Sequence, residues 1–255
     1  MLNGAMAVIT GGTAGIGRAC AEGLLDAGAG GVLINGRDAA RAERARVEIQ
    51  ARFPQARVAV AVGDVGRPEV AEAVMAAAIE RLGCIDVLVN STGGNDLPRL
   101  LFRTPLSEIP GILERCLSAQ LLSCAAALPY MRAAGRGAVI NIASDAGKLP
   151  TPGESVIGAA MAGIIMFTRA LAVEGKRDGI RANVLTPSLT SGTEHYDKVM
   201  ADPFAGRLFA KAEKMAALGV VSKQELAGLA VFLASPAAAK ITGQAISMTG
   251  GISAL

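Results

Sequence analysis

Short apolar runs alternate with longer amphipathic segments along the whole chain. Strands are predicted at the mainly aliphatic and β-branched runs 7–10, 31–35, 57–62, 85–89, 137–143, 181–186 and 245–249. Helical periodicity marks the segments between them, including 39–52, 68–82, 106–131 (one long helix or a broken pair), 152–175 and 224–233. This alternation predicts an α/β domain in which helices cover both faces of a parallel sheet.

The first strand runs into a glycine-rich turn, Thr10-Gly11-Gly12-Thr13-Ala14-Gly15-Ile16-Gly17, and a helical pattern follows. Glycine leaves no Cβ between a ligand and the backbone, and a helix N-terminus offers free N–H groups to an anion. At the head of a strand–helix chain, this pattern favours a dinucleotide cradle over an ordinary tight turn. The predicted cofactor contacts in it are Gly11, Thr13, Gly15, Ile16 and Gly17.

The second strand ends at Asn35-Gly36-Arg37. In a dinucleotide-binding fold this end faces the adenosine ribose, where an acidic residue would bind the 2′-hydroxyl. Gly36 leaves that place open, and the planar guanidinium of Arg37 suits a 2′-phosphate. We therefore predict NADP(H) rather than NAD(H). The alternative is that Arg37 is a solvated surface residue.

Further residues follow later strands, at the edge where open α/β sheets bind ligands. Asp64 is placed to accept a hydrogen bond from an adenine amino group, or else to cap the helix that begins at 68. Asn90 is predicted to tie neighbouring strands together, and Gly93 with Gly94 to admit a flat cofactor. The cofactor contacts predicted from these segments are Asp64, Val65, Asn90, Gly93, Pro187 and Thr190.

Taken together, these segments resemble the short-chain dehydrogenase/reductase family from end to end. The matching features are the T-G-x-x-x-G-x-G turn at 10–17, the adenine-site Asp64, the segment Asn90-Ser91-Thr92-Gly93, Ser144 after strand five, Pro187 after strand six, and the C-terminal 241–244 with Gly250-Gly251. The resemblance implies one Rossmann-type domain over 1–255, with a doubly wound sheet of seven parallel strands. It also implies a nicotinamide cofactor and assembly as a homotetramer or homodimer.

The chain departs from the family at its catalytic residues. The family uses a tyrosine to exchange a proton, a lysine to lower the tyrosine pKa, an asparagine in the long helix, and a serine that holds the carbonyl oxygen. Aligned without a gap from Ser144, the chain has Ile157 for the tyrosine and Met161 for the lysine, and Cys116 replaces the asparagine. A positioned acid contributes about 10²–10⁴ in rate. The usual mechanism is therefore not predicted.

Other side chains are candidates for the missing proton donor. The segment 190–218 is polar and predicted to be mobile, which is typical of a lid over an active site. Its single histidine titrates near neutrality. The candidates are Lys148, Asp145 and Glu154 near Ser144, and His195, Tyr196 and Asp197 in the lid. The alternative for Lys148 and for the lid residues is ordinary surface exposure.

Composition narrows the function classes. A length of 255 residues suits one α/β domain, and 51% apolar with 3% aromatic residues indicates an aliphatic core. A scattered net charge of +3 disfavours nucleic acid. The uncharged apolar run 156–168 is too short to span a bilayer. Four cysteines without metal or disulfide spacing, one histidine and no signal segment favour a cytoplasmic protein without a metal site.

Three functions remain open from the sequence. The first is an atypical NADP-dependent oxidoreductase that reduces a small or greasy carbonyl or enone substrate. The second is a catalytically silent NADP(H)-binding sensor or partner subunit, which the intact cradle and the lost acid would also produce. The third is a non-redox lyase or dehydratase on the same scaffold, since fold does not fix function. The sequence favours them in that order.

Overall fold

The computed structural model of the chain describes residues 2–93 and 96–254. Within these residues, a sheet of seven parallel strands has the order β3-β2-β1-β4-β5-β6-β9. Helices cover both of its faces, so the predicted Rossmann-type, doubly wound fold is confirmed. Gly94, which the sequence placed beside the cofactor, lies outside the described residues.

The elements alternate as the hydrophobic pattern predicts. The strands are β1 (Met6–Thr10), β2 (Gly31–Gly36), β3 (Arg57–Val62), β4 (Val87–Asn90), β5 (Gly137–Ile142), β6 (Ile180–Pro187), β7 (Thr190–Ser191), β8 (Val221–Ser222) and β9 (Ala245–Met248). The helices are α1 (Gly15–Asp26), α2 (Ala39–Arg52), α3 (Pro68–Leu82), α4 (Ile109–Leu113), α5 (Ala119–Ala134), α6 (Ser155–Gly175), α7 (Glu194–Ala201), α8 (Ala205–Met215) and α9 (Lys223–Ala234).

Alternate residues of β1 enter different cores because side chains of a strand point to opposite faces of its sheet. Ala7 and Ile9 join the core under α1 and α9. Met6 and Val8 join the core under α3 and α5. The parallel register pairs Val8 with Leu33 on one side and with Leu88 on the other, so the carboxyl ends of the strands meet along one edge.

A buried polar network connects the central strands. The Asn90 side chain donates to Asn141 Oδ1 at 2.9 Å and accepts from the Thr10 hydroxyl at 2.9 Å. Asn141 in turn donates to Thr168 Oγ1 of α6 at 2.8 Å. The prediction that Asn90 ties neighbouring strands together is confirmed. Its side chain is fully buried, so Asn90 holds the framework and does not line a ligand cavity.

The largest departures from the predicted elements lie in two segments. Between α4 and α5 the chain makes a π-helical turn, Glu114–Ser118, so the stretch predicted over 106–131 is interrupted and extends to Ala134. The predicted lid at 190–218 folds into the ordered helices α7 and α8. Its two ends are joined where Thr190 and Ser191 of β7 pair with β8. This part of the chain, 190–222, is called the α7–α8 segment below.

Two helical stretches are long and apolar enough to cross a membrane by length and composition alone, Leu106–Ala134 and Ser155–Asp178. The second stretch passes this test only because it extends beyond the uncharged run 156–168 and includes charged residues such as Arg169 and Glu174. Both stretches have buried inner faces, which include Met131 and Ile164. Core helices of soluble α/β proteins pass the same test, and these two occupy such positions beside the sheet.

Candidate functional site

A cavity of about 670 Å³ opens at the carboxyl edge of the sheet. Its floor is formed by residues that follow β1, β2, β4 and β5, and one wall is formed by α6. The α7–α8 segment closes the opposite side. A volume of this size holds a drug-sized ligand, and mostly apolar walls with a few polar groups are typical of such sites.

The turn after β1 has the shape of an anion cradle. Gly15 has φ +53°, and a Cβ built there would have open space around it, its nearest neighbour being Thr193 Cγ2 at 3.8 Å. A Cβ at Gly17 would instead collide with the carbonyl oxygen of Gly11. Helix α1 begins at Gly15 without a side-chain cap or an acidic residue in its first turn. Its free N–H groups and positive end therefore fit a phosphate of the predicted dinucleotide.

The end of β2 excludes an acidic side chain at position 36. A Cβ at Gly36 would lie 2.6 Å from Thr13 Cγ2 and 2.8 Å from Thr13 Oγ1. The nearby Asp38 carboxylate accepts from the Arg41 N–H at 2.9 Å and caps α2. Arg37 Nη1 lies at the cavity wall, 3.8 Å from Asp64 Oδ2. The polar group best placed for an anion at this point is the Arg37 guanidinium.

Asp64 shapes the loop that follows β3. Its Oδ1 accepts from the Gly66 N–H at 3.0 Å, and its side chain is 47% exposed at the cavity wall. Helix α3 has Arg67 at its N-cap position and no side-chain cap. Asp64 therefore does not cap α3, which leaves its outer oxygen directed toward Arg37.

The wall around Ser144 is apolar. Ser144 follows β5, and its Oγ accepts from the Ala146 N–H at 3.2 Å. Ile157 and Met161 lie one helical turn apart on α6 and line the same cavity, as does Cys116 on the π-helical turn. These residues pack with Ile112 and with the start of α6. The positions at which the family resemblance implies polar catalytic groups thus form a greasy surface.

Lys148 does not line the cavity, which contradicts its prediction as a proton donor. Its Nζ donates to the carbonyl oxygen of Ala245 at 2.8 Å and to Ser247 Oγ at 2.9 Å, so the side chain runs toward β9. Burial lowers the pKa of Lys148. Its ammonium therefore joins the Ser144 turn to the last strand and does not face a substrate.

Two carboxyl groups do line the cavity beside Ser144. Asp145 is only 3% exposed, and its Oδ1 has no hydrogen-bond partner among the described residues. Glu154 lies just before α6 and is partly buried. Burial and the Asp145 carboxylate raise the pKa of Glu154 to about 7, although the Thr151 hydroxyl opposes the shift. An acid with a pKa near neutrality can both give and regain a proton.

The α7–α8 segment brings His195 and Tyr196 to the opposite wall. Desolvation, and to a lesser degree Lys198, lower the pKa of His195, whereas Asp96 opposes the shift. Tyr196 Oη donates to Glu213 Oε1 at 2.7 Å, and this hydrogen bond raises the tyrosine pKa. The phenol therefore joins α7 to α8 and is a poor acid in this arrangement. Asp197 does not line the cavity.

Several cavity residues were missed by the sequence reasoning. Arg115 makes a two-pronged ion pair with Asp96, at 2.6 Å and 3.2 Å, and both line the cavity. Arg41 Nη1 lies 3.1 Å from a Glu194 carboxylate oxygen and joins α2 to α7. Asp38, three residues before Arg41, was the available signal, because a helix-capping residue fixes the direction of the first turn. Arg115 and Asp96 are far apart in sequence, so no local sequence pattern predicted their ion pair.

Most predicted site residues converge on the one cavity. Those that line it are Gly11, Thr13, Gly15, Ile16, Arg37, Asp64, Val65, Gly93, Cys116, Ser144, Asp145, Glu154, Ile157, Met161, Pro187, Thr190, His195 and Tyr196. Gly17, Asn90 and Lys148 do not line it. Gly17 acts through backbone packing, Asn90 through the buried network and Lys148 through its contacts with β9.

Comparison with known proteins places the chain among oxidoreductases. Residues 11–253 match the family model described as enoyl-(acyl carrier protein) reductase. The chain is 32% identical over 251 residues to the 2,3-dihydroxy-2,3-dihydro-p-cumate dehydrogenase of Pseudomonas putida, covering 98% of this chain and 95% of that protein. It is 33% identical to the gluconate 5-dehydrogenase of Gluconobacter oxydans, with 98% and 95% covered. The crystal structure of a levodione reductase matches with TM-score 0.91 at 26% identity, covering 98% of this chain and 97% of that one.

Proposed function

Since this chain belongs to the short-chain dehydrogenase/reductase family of oxidoreductases, we propose that it binds NADP(H) and reduces a small, greasy carbonyl or enone compound. The observation that carries the proposal is the continuous cavity that joins the Gly15 cradle to Ser144. One end of it fits the phosphates of a dinucleotide, and the other offers a hydroxyl within an apolar wall. The atypical feature of the proposal is that neither a tyrosine nor a lysine stands at 157 or 161.

The preference for NADP(H) rests on the end of β2. Thr13 leaves no space for a carboxylate at position 36, and Asp38 is engaged in capping α2. Arg37 and Arg41 are cations at this edge, and Arg41 is paired with Glu194. The planar fork of Arg37 suits a 2′-phosphate. Asp64 Oδ2 lies 3.8 Å from the Arg37 guanidinium. We take the adenine end of the cofactor to bind between Arg37 and Asp64.

At the reacting end, Ser144 orients the substrate. When bound, the reduced dinucleotide supplies a hydride to an electrophilic carbon. The Ser144 Oγ already accepts from the Ala146 N–H, so its own proton remains to hydrogen-bond the substrate oxygen. Ile157 and Met161 take the apolar part of the substrate and exclude water, which strengthens that hydrogen bond. The α7–α8 segment acts as the lid.

A fluorescence titration with NADPH, followed by a panel of ketones and enones, tests the proposal. We expect saturable binding and turnover of at least one panel member. Ser144→Ala should keep NADPH affinity and lose about 10²–10³ in rate, as removal of one oxyanion donor does elsewhere. Ser107→Ala, at an exposed position, is the matched control. Absence of saturable NADPH binding would overturn the proposed function.

A silent NADP(H)-binding protein is the second candidate, and the apolar pair Ile157 and Met161 is the observation that favours it. In that case NADPH binds as above, but no panel compound is turned over. Binding would then be coupled to a partner through the α7–α8 segment. The same titration and panel separate the two functions.

We also propose that the protein works as a cytoplasmic homotetramer or homodimer. Helix α6 leaves Met166 (62% exposed) and Val173 (63% exposed) uncovered on its outer face, which supports contact with a second copy. Light scattering coupled to size exclusion measures the assembly. A monomer at micromolar concentration would rule it out.

A further inference from the structure

The Ser144 turn and the start of α6 are packed backbone against backbone. A Cβ at Gly158 would lie 2.8 Å from the carbonyl oxygen of Ala146, and one at Gly147 would lie 2.8 Å from the Ala162 nitrogen. Only glycine permits so close an approach at these two positions. The turn that carries Ser144 and Asp145 is thereby fixed against the first turns of α6, where Glu154 lies.

The backbone around Glu154 is held on both sides. Its N–H donates to the Thr151 carbonyl at 3.0 Å, and its own carbonyl accepts from the Gly158 N–H at 2.5 Å. The preceding Gly153 carbonyl accepts from the Arg99 N–H at 2.8 Å. A side chain on such a support has a defined position, which a proton donor needs.

Glu154 precedes Ile157 by three residues, about one helical turn, and both line the cavity. Side chains at this spacing lie one above the other on the same face. The carboxyl group is therefore one turn from the position at which the family's tyrosine would stand. The negative charge of Asp145 acts on Glu154 and disfavours ionisation of its carboxyl group.

Resting on the proposed reductase function, we propose that Glu154 donates the proton that completes substrate reduction. The carbonyl carbon gains the hydride, and the π electron pair passes to the oxygen. The Glu154 O–H bond then breaks, its proton joins that oxygen to give the alcohol, and Glu154 is left as a carboxylate. The dinucleotide is oxidised, and Glu154 regains a proton from water through the cavity mouth.

The surroundings of both carboxyl groups fit this assignment. Asp145 has a buried Oδ1 without a partner among the described residues, a costly state that a protonated neighbour or a ligand hydroxyl relieves. Its negative charge and the apolar wall keep a proton on Glu154, whose pKa rises to about 7. Other titratable or charged side chains also line this cavity: Arg37, Asp38, Arg41, Asp64, Glu194, His195, Tyr196, Lys211 and the Asp96–Arg115 pair. The positive charge of Lys148 also interacts with Asp145, and its ammonium is bound by Ala245 and Ser247 of β9.

Glu154→Gln is the central test because it keeps the shape of the side chain and removes the acid. We expect NADPH affinity within about twofold of the parent, single-turnover reduction slower by about 10²–10⁴, and loss of the fall in rate as pH rises through neutrality. Asp145→Asn should move the midpoint of that fall to lower pH. Glu174→Gln, exposed on the same helix, is the matched control and should change neither.

A readout independent of turnover is a carboxyl-carbon NMR titration of the NADPH-bound protein. One glutamate resonance should titrate near pH 7 and vanish in Glu154→Gln. Glu154→Asp, which retains an acid, should recover part of the rate if the Gln variant folds poorly. A Glu154→Gln rate within threefold of the parent, or a resonance that titrates near 4.5, would overturn the assignment and leave the reductase proposal intact. A parent protein that binds NADPH but turns over nothing would overturn both.

Discussion

Arg41 of α2 and Glu194 of α7 form an ion pair whose closest atoms, Arg41 Nη1 and Glu194 Oε1, lie 3.1 Å apart. Both residues line the cavity, and the pair joins α2 to the α7–α8 segment. Since Glu194 is the first residue of α7, whose N-cap is Thr193, a charge change here acts directly on the edge of the proposed lid.

Arg41→Ala should loosen the α7–α8 segment with little loss of global stability. An exposed ion pair contributes about 0.2–1 kcal/mol and is screened by salt. We expect faster amide exchange in 194–201, measured by mass spectrometry, with the rest of the sheet unchanged. Raising the salt concentration of the parent protein should reproduce part of the effect. Arg132→Ala, which removes a surface pair with Asp178, is the control that should leave this segment unaltered.

Arg37→Ala should weaken NADPH binding about 10–100-fold and leave NADH binding nearly unchanged, because a charged hydrogen bond contributes about 1.5–3 kcal/mol. Arg44→Ala removes the same charge from an exposed position of α2 and should change neither affinity. Calorimetric titration of both cofactors measures the difference. Equal losses for NADPH and NADH would show that Arg37 does not read the 2′-phosphate.

Gly36→Asp should not convert the protein to NADH, although an acidic residue at this strand end normally selects it. The new Cβ would lie 2.6 Å from Thr13 Cγ2, so the Thr13 side chain, which forms part of the cradle, must move. We expect weaker binding of both cofactors in the same titration. Combining the change with Thr13→Gly should restore NADH binding in preference to NADPH. The prediction fails if Gly36→Asp alone binds NADH tightly.

Ile157→Tyr combined with Met161→Lys, introduced into Glu154→Gln, should raise ketone reduction of that variant by about 10²-fold or more, because it restores a positioned acid. Both side chains line the cavity beside Ser144, so the new groups enter the site. Met161→Lys alone buries a cation without a phenol and is expected to lower stability and activity. No gain from the double variant would argue that the cofactor lies elsewhere in the cavity.

Glu154 makes stability depend on pH in a definite direction. Its pKa is raised from 4.5 to about 7 in the folded chain, so the folded state holds the proton more firmly than the unfolded state. The stabilisation is complete below pH 4.5 and is lost as pH rises through about 7, at most about 3 kcal/mol. Urea unfolding of Glu154→Gln should lack this decline between pH 5 and pH 8. A parallel decline in both proteins would assign it to another group.

The sequence predicted the sheet and the glycine-rich turn after β1 well because their signals are local. Helices α2 and α3 have the predicted bounds, 39–52 and 68–82, since Asp38 caps one and Pro68 opens the other. Helix α6 begins at Ser155 rather than at 152, because Gly153 has φ +87° and interrupts the turn before it.

The directions of side chains, and their contacts with residues distant in the sequence, could not be predicted from local signals. Lys148 is near Ser144 in sequence, yet its ammonium is bound by Ala245 and Ser247, almost a hundred residues away. The predicted mobile lid is instead two helices, which the Tyr196–Glu213 hydrogen bond joins. Neither contact produces a periodic pattern in the sequence. Asp145 and Glu154, in contrast, were predicted as candidates because they lie close to Ser144 in the sequence.

Because β7 pairs with β8, the chain between them is a separate unit whose two ends are close together. Its entry at Thr190 and its exit at Val221 lie side by side, held by Thr190↔Val221 and Ser191↔Ser222. A sequence of different length can therefore replace 192–220 while the sheet, the phosphate cradle and the Ser144 turn keep their positions. The residues that cover the cavity can therefore vary without a change in the sheet or in the Ser144 turn.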